Sequence, residues 1–318
     1  NPTSRQILEN LTREGHLAQL IRAGARLHQT GCNGCIGMGQ APATGRNSLR
    51  TVPRNFPGRS GTREDRVFLC SPETAAAAAL TGQITDPREL DMDYPAFAEP
   101  EEPVINRELL VEPGEDRSIE LIKGPNVKTL PRFDPIDDDF SGPVLLKVGD
   151  DISTDEIMPA GAEVLPYRSN IPKMADFVYR DVDAGFVERA QEYDGAGFVI
   201  VGGRNYGQGS SREHAAIAPR YLGLQVVCAI SWGRIHWQNL ANFGILPLTF
   251  GDADDYEAIE SGDKLKIDDV FSALDGGDEV TVENRTQGTT YTMTHGLSAR
   301  QIEMIRAGSL VRRVREES

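Results

Sequence analysis

The stretch that most constrains this chain runs from Gly197 to Gly223. Gly197-Phe-Val-Ile-Val is apolar and β-branched, and it predicts a buried strand. It leads into Gly202-Gly-Arg-Asn-Tyr-Gly-Gln-Gly-Ser-Ser-Arg-Glu-His214 and then into an apolar helical pattern. A strand that passes through a glycine-rich loop into a helix implies an α/β fold, and such a junction suits anions. Glycines let backbone N–H groups come close to a ligand, and the helix start offers unpaired donors with partial positive charge. On this reading Ser210, Ser211 and Arg212 sit on the first helical turn, where two hydroxyls and a forked guanidinium can grip a carboxylate or phosphate. The plainer reading makes Ser210 a helix cap and Arg212 a solvated cation.

Composition narrows the ligand. A chain of 318 residues with 39% hydrophobic content can bury more than one core. Its net charge of -15 argues against wrapping nucleic acid or adhering to an acidic membrane, so a small ligand held by a few arginines is expected. No run is long and apolar enough to span a bilayer, and the first residues lack the basic-then-apolar order of a secretory signal. Four cysteines are too few for a disulfide scaffold and predict a reducing compartment, the cytoplasm or a mitochondrial matrix. The opening Asn1-Pro-Thr-Ser, without methionine, is expected to belong to a longer polypeptide.

Cys32 and Cys35 stand two residues apart in Gly31-Cys-Asn-Gly-Cys-Ile-Gly. The spacing lets two thiolates converge on one metal centre while the glycines permit a tight path; a redox dithiol or a buried thiol pair also fits. Cys70 and Cys228 lie in apolar runs and read as buried strand thiols. A third ligand is one of these or lies outside this sequence.

Thr3 or Ser4 can cap a first helix, and Leu17, Leu20 and Ile21 suggest a second. Arg54 and Arg59 flank a proline- and glycine-bearing loop, a way to aim two guanidinium groups at one polycarboxylate. Ser71-Pro-Glu opens an alanine-rich helix. From about residue 86 to 142 acidic, proline-punctuated sequence predicts an extended linker. Beyond it Val144-Leu-Leu-Lys-Val predicts a strand leading to Ser153-Thr-Asp155, where Asp155 can accept a hydrogen bond from a catalytic group. Further strands are expected at 224–230 and 244–250, a helix from Arg234, paired strands at 277–283 and 289–294, and a basic helix from Ser298.

Taken together and in this order, Gly31-Cys-x-x-Cys-Ile-Gly, Arg54-Asn-Phe-x-Gly-Arg59, Ser71-Pro-Glu, Ser153-Thr-Asp155 and Gly207-x-Gly-Ser-Ser-Arg-Glu-His214 resemble the C-terminal part of the aconitase family. The resemblance implies three regions. Residues 1–95 would end an α/β cluster-binding region, 96–141 would be the linker, and 142–318 a compact swivelling α/β domain. It implies a [4Fe-4S] cluster with Cys32 and Cys35 as two of three cysteine ligands. It also implies Ser210 as the catalytic base, Asp155 as support for a histidine on a missing domain, and Arg54, Arg59, Arg168, Ser211 and Arg212 as the residues that bind substrate carboxylates. The implied activity is a hydro-lyase of the citric acid cycle, aconitate hydratase, acting on citrate, cis-aconitate and isocitrate. This segment alone is expected to be inactive, because the remaining catalytic residues lie on domains that the same or another chain must supply. Two alternatives stand beside it. One is a hydro-lyase for homoaconitate or isopropylmalate, which Arg168 in Pro166-Tyr-Arg168 disfavours by providing for a third carboxylate. The other is an RNA-binding regulator in the cluster-free form, which the acidic charge disfavours.

Overall fold

The computed structural model describes residues 1–317 except 32–39, 53–54, 56–59, 61–63, 97, 116–117, 119, 160–162, 194 and 196. Cys32, Cys35, Arg54 and Arg59 therefore lie outside the described residues. The chain divides into two compact units, Asn1–Ser118 and Ile119–Ser318.

In the first unit, Ser4 caps helix α1 (Arg5–Arg13), its Oγ accepting from the Ile7 N–H at 3.2 Å. Helix α2 (His16–Arg22) follows. Strands β1 (Asn47–Arg50) and β2 (Arg66–Leu69) pair in parallel. Ser71 caps α3 (Pro72–Thr81), with Pro72 in the first turn, where its missing N–H costs nothing. Only Val67 and Ala77 are buried apolar residues among those described in this unit, while Leu20, Ile21 and Leu80 are exposed. Two short parallel strands so thinly covered do not make a self-sufficient core. Cys70 differs from the expected buried strand thiol: it stands one residue beyond β2 and is half-buried, its Sγ 3.8 Å from the Arg50 carbonyl.

Among the described residues from 83 to 139 the only regular element is a 3₁₀ turn, Pro87–Glu89. Near its end this stretch joins the second unit, where Phe133 and Ile136 are buried.

The second unit is built around a closed seven-stranded barrel. Its elements are β3 (Phe140–Lys147), α4 (Thr154–Ile157), α5 (Ile171–Ala175), α6 (Phe186–Glu192), β4 (Phe198–Gly202), α7 (His214–Tyr221), β5 (Leu224–Ala229), α8 (Arg234–Asn242), β6 (Leu246–Phe250), α9 (Asp255–Ala258), β7 (Lys264–Ile267), α10 (Val270–Gly276), β8 (Glu279–Asn284), β9 (Thr289–Thr294), α11 (Ala299–Ala307) and α12 (Leu310–Glu317). The strand order is β3-β4-β5-β6-β9-β8-β7, with β3 through β6 parallel and the remaining pairings antiparallel. The α/β class expected from the sequence is the one observed.

Side chains alternate along each strand, and the two faces build two cores. Val199, Val201, Val226 and Cys228 point inward with Leu265, Ile267, Val280, Val282 and Met293. Phe198, Ile200, Leu224 and Val227 point outward and pack with residues of α5, α6 and α7. Strands covered on both faces read as continuous apolar runs, which is why β4 and β5 were visible in the sequence.

Arg220 on α7 ties the end of the preceding stretch to this barrel. Its buried guanidinium donates to the carbonyls of Asp134, Phe243 (3.2 Å) and Leu224 (3.4 Å). Burial lowers its pKa to about 10, so the charge is tolerated only because carbonyls surround it. Arg220→Met strands those acceptors and should destabilise the second unit by roughly 3 kcal/mol, read from the midpoint of urea unfolding.

Candidate functional site

The loop between β4 and α7 is shaped by what it docks against. At its start the Asp150 carboxylate accepts from the Arg204 N–H at 2.6 Å, and Asn205, in the left-handed region, donates through Nδ2 to Asp151 at 2.8 Å. The Gly207 N–H then donates to the Ile152 carbonyl at 2.7 Å, and the Thr154 N–H to the Gln208 carbonyl at 2.9 Å. Residues 150–154 thus lie alongside 204–210 as a short added ladder, with Ser153 bridged in parallel to Gln208.

Thr154 completes the docking. Its hydroxyl accepts from the Ser210 N–H and donates to the Ser210 carbonyl, both at 3.1 Å. It is fully buried, so neither bond competes with water. Ser153 and Thr154 are both of types that serve as turn or cap residues. Ser153 is one: it caps α4 in a reciprocal capping box with Glu156. Thr154 is the functional residue that sequence reasoning missed, because its partner lies 56 residues away and nothing in local pattern marks it.

Ser210, Ser211 and Arg212 are not on the first turn of the helix. Helix α7 begins at His214 with Glu213 as its cap, so the serines lie in the loop before it. Gly207 and Gly209 take positive φ (76° and 103°), and Thr154 engages the Ser210 backbone, so helical hydrogen bonding starts only beyond Arg212. Ser210 and Arg212 are half-buried and Ser211 is exposed. Arg212 forms an ion pair with Asp155 and donates through Nη1 to the Met158 carbonyl at 3.1 Å. Both charged side chains remain partly exposed, a setting in which such a pair contributes only about 0–1 kcal/mol. An incoming carboxylate can therefore replace Asp155 on Arg212 at little cost.

Arg168 is exposed, and its backbone is anchored at the same place: the His214 Nε2 and the Arg168 carbonyl are 2.7 Å apart. The structure thus brings together Asp155, Ser210, Ser211, Arg212 and the Arg168 backbone from three separate stretches of sequence. The other four candidates, Cys32, Cys35, Arg54 and Arg59, have no described position.

Beneath the loop lies a buried aromatic layer. The Tyr179 and Tyr206 hydroxyls are hydrogen-bonded to each other, and the Tyr206 ring meets Trp232 edge-on at 5.8 Å and His236 at 5.5 Å. His236 is 1% exposed, and burial pushes its pKa down to about 3, so the ring is neutral.

No group of three His, Cys, Asp or Glu side chains able to hold a metal occurs among the described residues. Cys228 is unsuited to ligation: it lies in the barrel core, where burial pushes its thiol up to about 12.

Comparison with known proteins finds two matching family models. Residues 1–82 match the aconitase family (aconitate hydratase), and residues 167–253 match the aconitase C-terminal domain. Over 98% of this chain, homocitrate dehydratase, mitochondrial, of Saccharomyces cerevisiae is 30% identical, the match covering 46% of that protein. Aconitate hydratase, mitochondrial, of Gracilaria gracilis is 29% identical over 99% of this chain and 46% of its own length. The chain thus spans less than half the length of these curated relatives. Among solved structures, 3-isopropylmalate dehydratase (leuD) of Methanocaldococcus jannaschii is 30% identical, covering 56% of this chain and 95% of that one, with a TM-score of 0.46.

Two outcomes follow from the site's geometry. Thr154→Val keeps the shape but leaves the Ser210 N–H and carbonyl unpaired, and should lower the stability of the second unit by about 2 kcal/mol in urea unfolding. His236 titrates at an ordinary 6.5 when unfolded but near 3 when folded. Between those values the unfolded chain takes up a proton that the fold refuses, so stability falls as pH drops from 6.5 towards 3 and is unaffected above that window. The loss is on the order of 4 kcal/mol, and urea midpoints measured from pH 7 to pH 4 should fall less steeply in His236→Phe.

Proposed function

Because the chain belongs to the aconitase family, we propose that it is the carboxy-terminal portion of a hydro-lyase interconverting citrate and isocitrate through cis-aconitate. The observation that carries this reading is the Ser210 turn held by Thr154 beside the Arg212–Asp155 ion pair. A hydroxyl, a forked cation and a carboxylate that can release it stand together at partly exposed positions, as abstraction of a proton next to a carboxylate requires.

In this proposal Arg212, Ser211 and Arg168 bind substrate carboxylates, joined by Arg54 and Arg59 from the first unit. Ser210 takes the proton from the carbon beside a bound carboxylate and returns it on rehydration. The charge that a deprotonated hydroxyl carries is supported by the Arg212 guanidinium two residues on, and helix α7, starting at His214, contributes less than a first-turn position would. Asp155, released from Arg212 by substrate, is then open to a histidine supplied by the rest of the polypeptide. Cys32 and Cys35 would hold two sites of a [4Fe-4S] cluster, with the third cysteine outside this chain. When bound, the cluster supplies a Lewis acid for the departing hydroxyl.

The thinly covered β1–β2 pair supports completion of the first unit by further polypeptide. The regions proposed for the complete protein are the cluster-binding end at 1–95, the linker at 96–141 and a swivelling domain at 142–318. The relatives' printed names favour the mitochondrion over the cytoplasm as the compartment.

The test uses the complete cluster-loaded protein that contains this segment. Ser210→Ala should lower kcat by at least ~10²-fold with KM little changed, the share expected of a positioned base. A variant that keeps half the wild-type turnover rules out Ser210 as the base. Arg168→Leu should weaken citrate roughly 10-fold or more, as loss of a charged hydrogen bond predicts, and an alkyl-malate far less. Equal losses for the two substrates point instead to an alkyl-malate hydro-lyase.

A further inference from the structure

The turn that carries Ser210 is gripped from two sides. On the side away from Thr154, the start of α8 is pressed into the loop backbone. A Cβ at Gly233 would stand 2.5 Å from the Gly207 carbonyl oxygen and 2.8 Å from the Gln208 nitrogen. One turn further along, the His236 ring fills the space that Gly207 leaves open. A Cβ at Gly207 would meet its Cδ2 at 2.1 Å and its Cγ at 2.4 Å. Backbone bonds from the same strand end close the gap: Tyr206 N–H donates to the Ser231 carbonyl at 2.9 Å, and Gly233 N–H to the Tyr206 carbonyl at 2.8 Å.

The chemistry of His236 does not account for its place there. Neither ring nitrogen has a hydrogen-bond partner among the described residues, although the ring is buried. A buried polar ring with both nitrogens unpaired carries a standing cost that a plain core position would not retain. It packs against the glycine three residues before the serine.

We propose that His236 is a positioning residue for Ser210, a neutral ring wedged against Gly207 that fixes the path of the turn from behind while Thr154 fixes it from in front. The role is one of shape: the ring limits where the Gly207–Ser210 backbone can go. Its bearing on turnover rests on Ser210 being the base; its bearing on the loop does not.

The experiment separates these. Amide hydrogen exchange is measured on the chain at Gly207, whose N–H is bound to Ile152, and at Ser210, whose N–H is bound to Thr154. His236→Ala should speed exchange at both by about tenfold, with the β8–β9 hairpin unchanged, whereas His236→Phe, which restores a ring, should stay near wild type. Exchange unaltered by His236→Ala overturns the proposal, and so does His236→Phe exchanging as fast as His236→Ala. Should His236→Phe not fold, Gly207→Ala decides: its methyl displaces the ring, and wild-type exchange at Ser210 overturns the proposal. In the complete cluster-loaded protein His236→Ala should lower kcat by about 10- to 100-fold with KM within about threefold, because the arginines are held by other contacts. KM rising in step with the fall in kcat overturns it. Ser210→Ala in the same assay reports on the base alone, so failure of that reading leaves the exchange result standing.

Discussion

The reciprocal pair of hydrogen bonds between the Thr154 hydroxyl and the Ser210 backbone is the contact on which the arrangement of the second unit's candidate residues depends. Without it the glycine loop, with Asn205, Gly207 and Gly209 at positive φ, has many conformations open to it. With it, residues 150–155 and 204–212 become one surface. Asp155 then faces Arg212 because Thr154, its neighbour in sequence, is already fixed against Ser210. The barrel supplies the rigidity behind this: β3 and β4 are paired in parallel, and the segments that leave their ends carry the two halves of the ladder.

Electrostatics and packing divide the labour. The Arg212–Asp155 pair is partly exposed, so it adds little stability. The layer below is the opposite case. Tyr179, Tyr206 and His236 are buried, and burial drives each towards its neutral form. The loop that carries Ser210 and Arg212 is thus backed by an uncharged aromatic floor. The buried Arg220, in the last turn of α7, gives its hydrogen bonds to backbone carbonyls.

The first unit has another character. Its helices are capped as their sequences predict, by Ser4 and Ser71, yet they bury almost nothing. Local signals suffice to start and stop a helix but not to give it something to pack against. The chain also spans less than half the length of its curated relatives.

Much was legible from residues alone. The strands at 198–202 and 224–229 were visible because both faces are buried, so every position but Gln225 is apolar. The hairpin at 279–294 was visible because its side chains alternate in period two. The order of the short motifs, each tied to a chemistry, was enough to identify the family. Sequence could not place Ser210 before the helix instead of on it, since that depends on a threonine 56 residues away. Nor could it reveal that Asp155 holds Arg212, or that a histidine on α8 lies under Gly207. Propensity and periodicity act over a few neighbouring residues, and they determined the elements. Which side chains face one another across the barrel's end is decided by strand register and loop docking, and those exist only once the chain has closed.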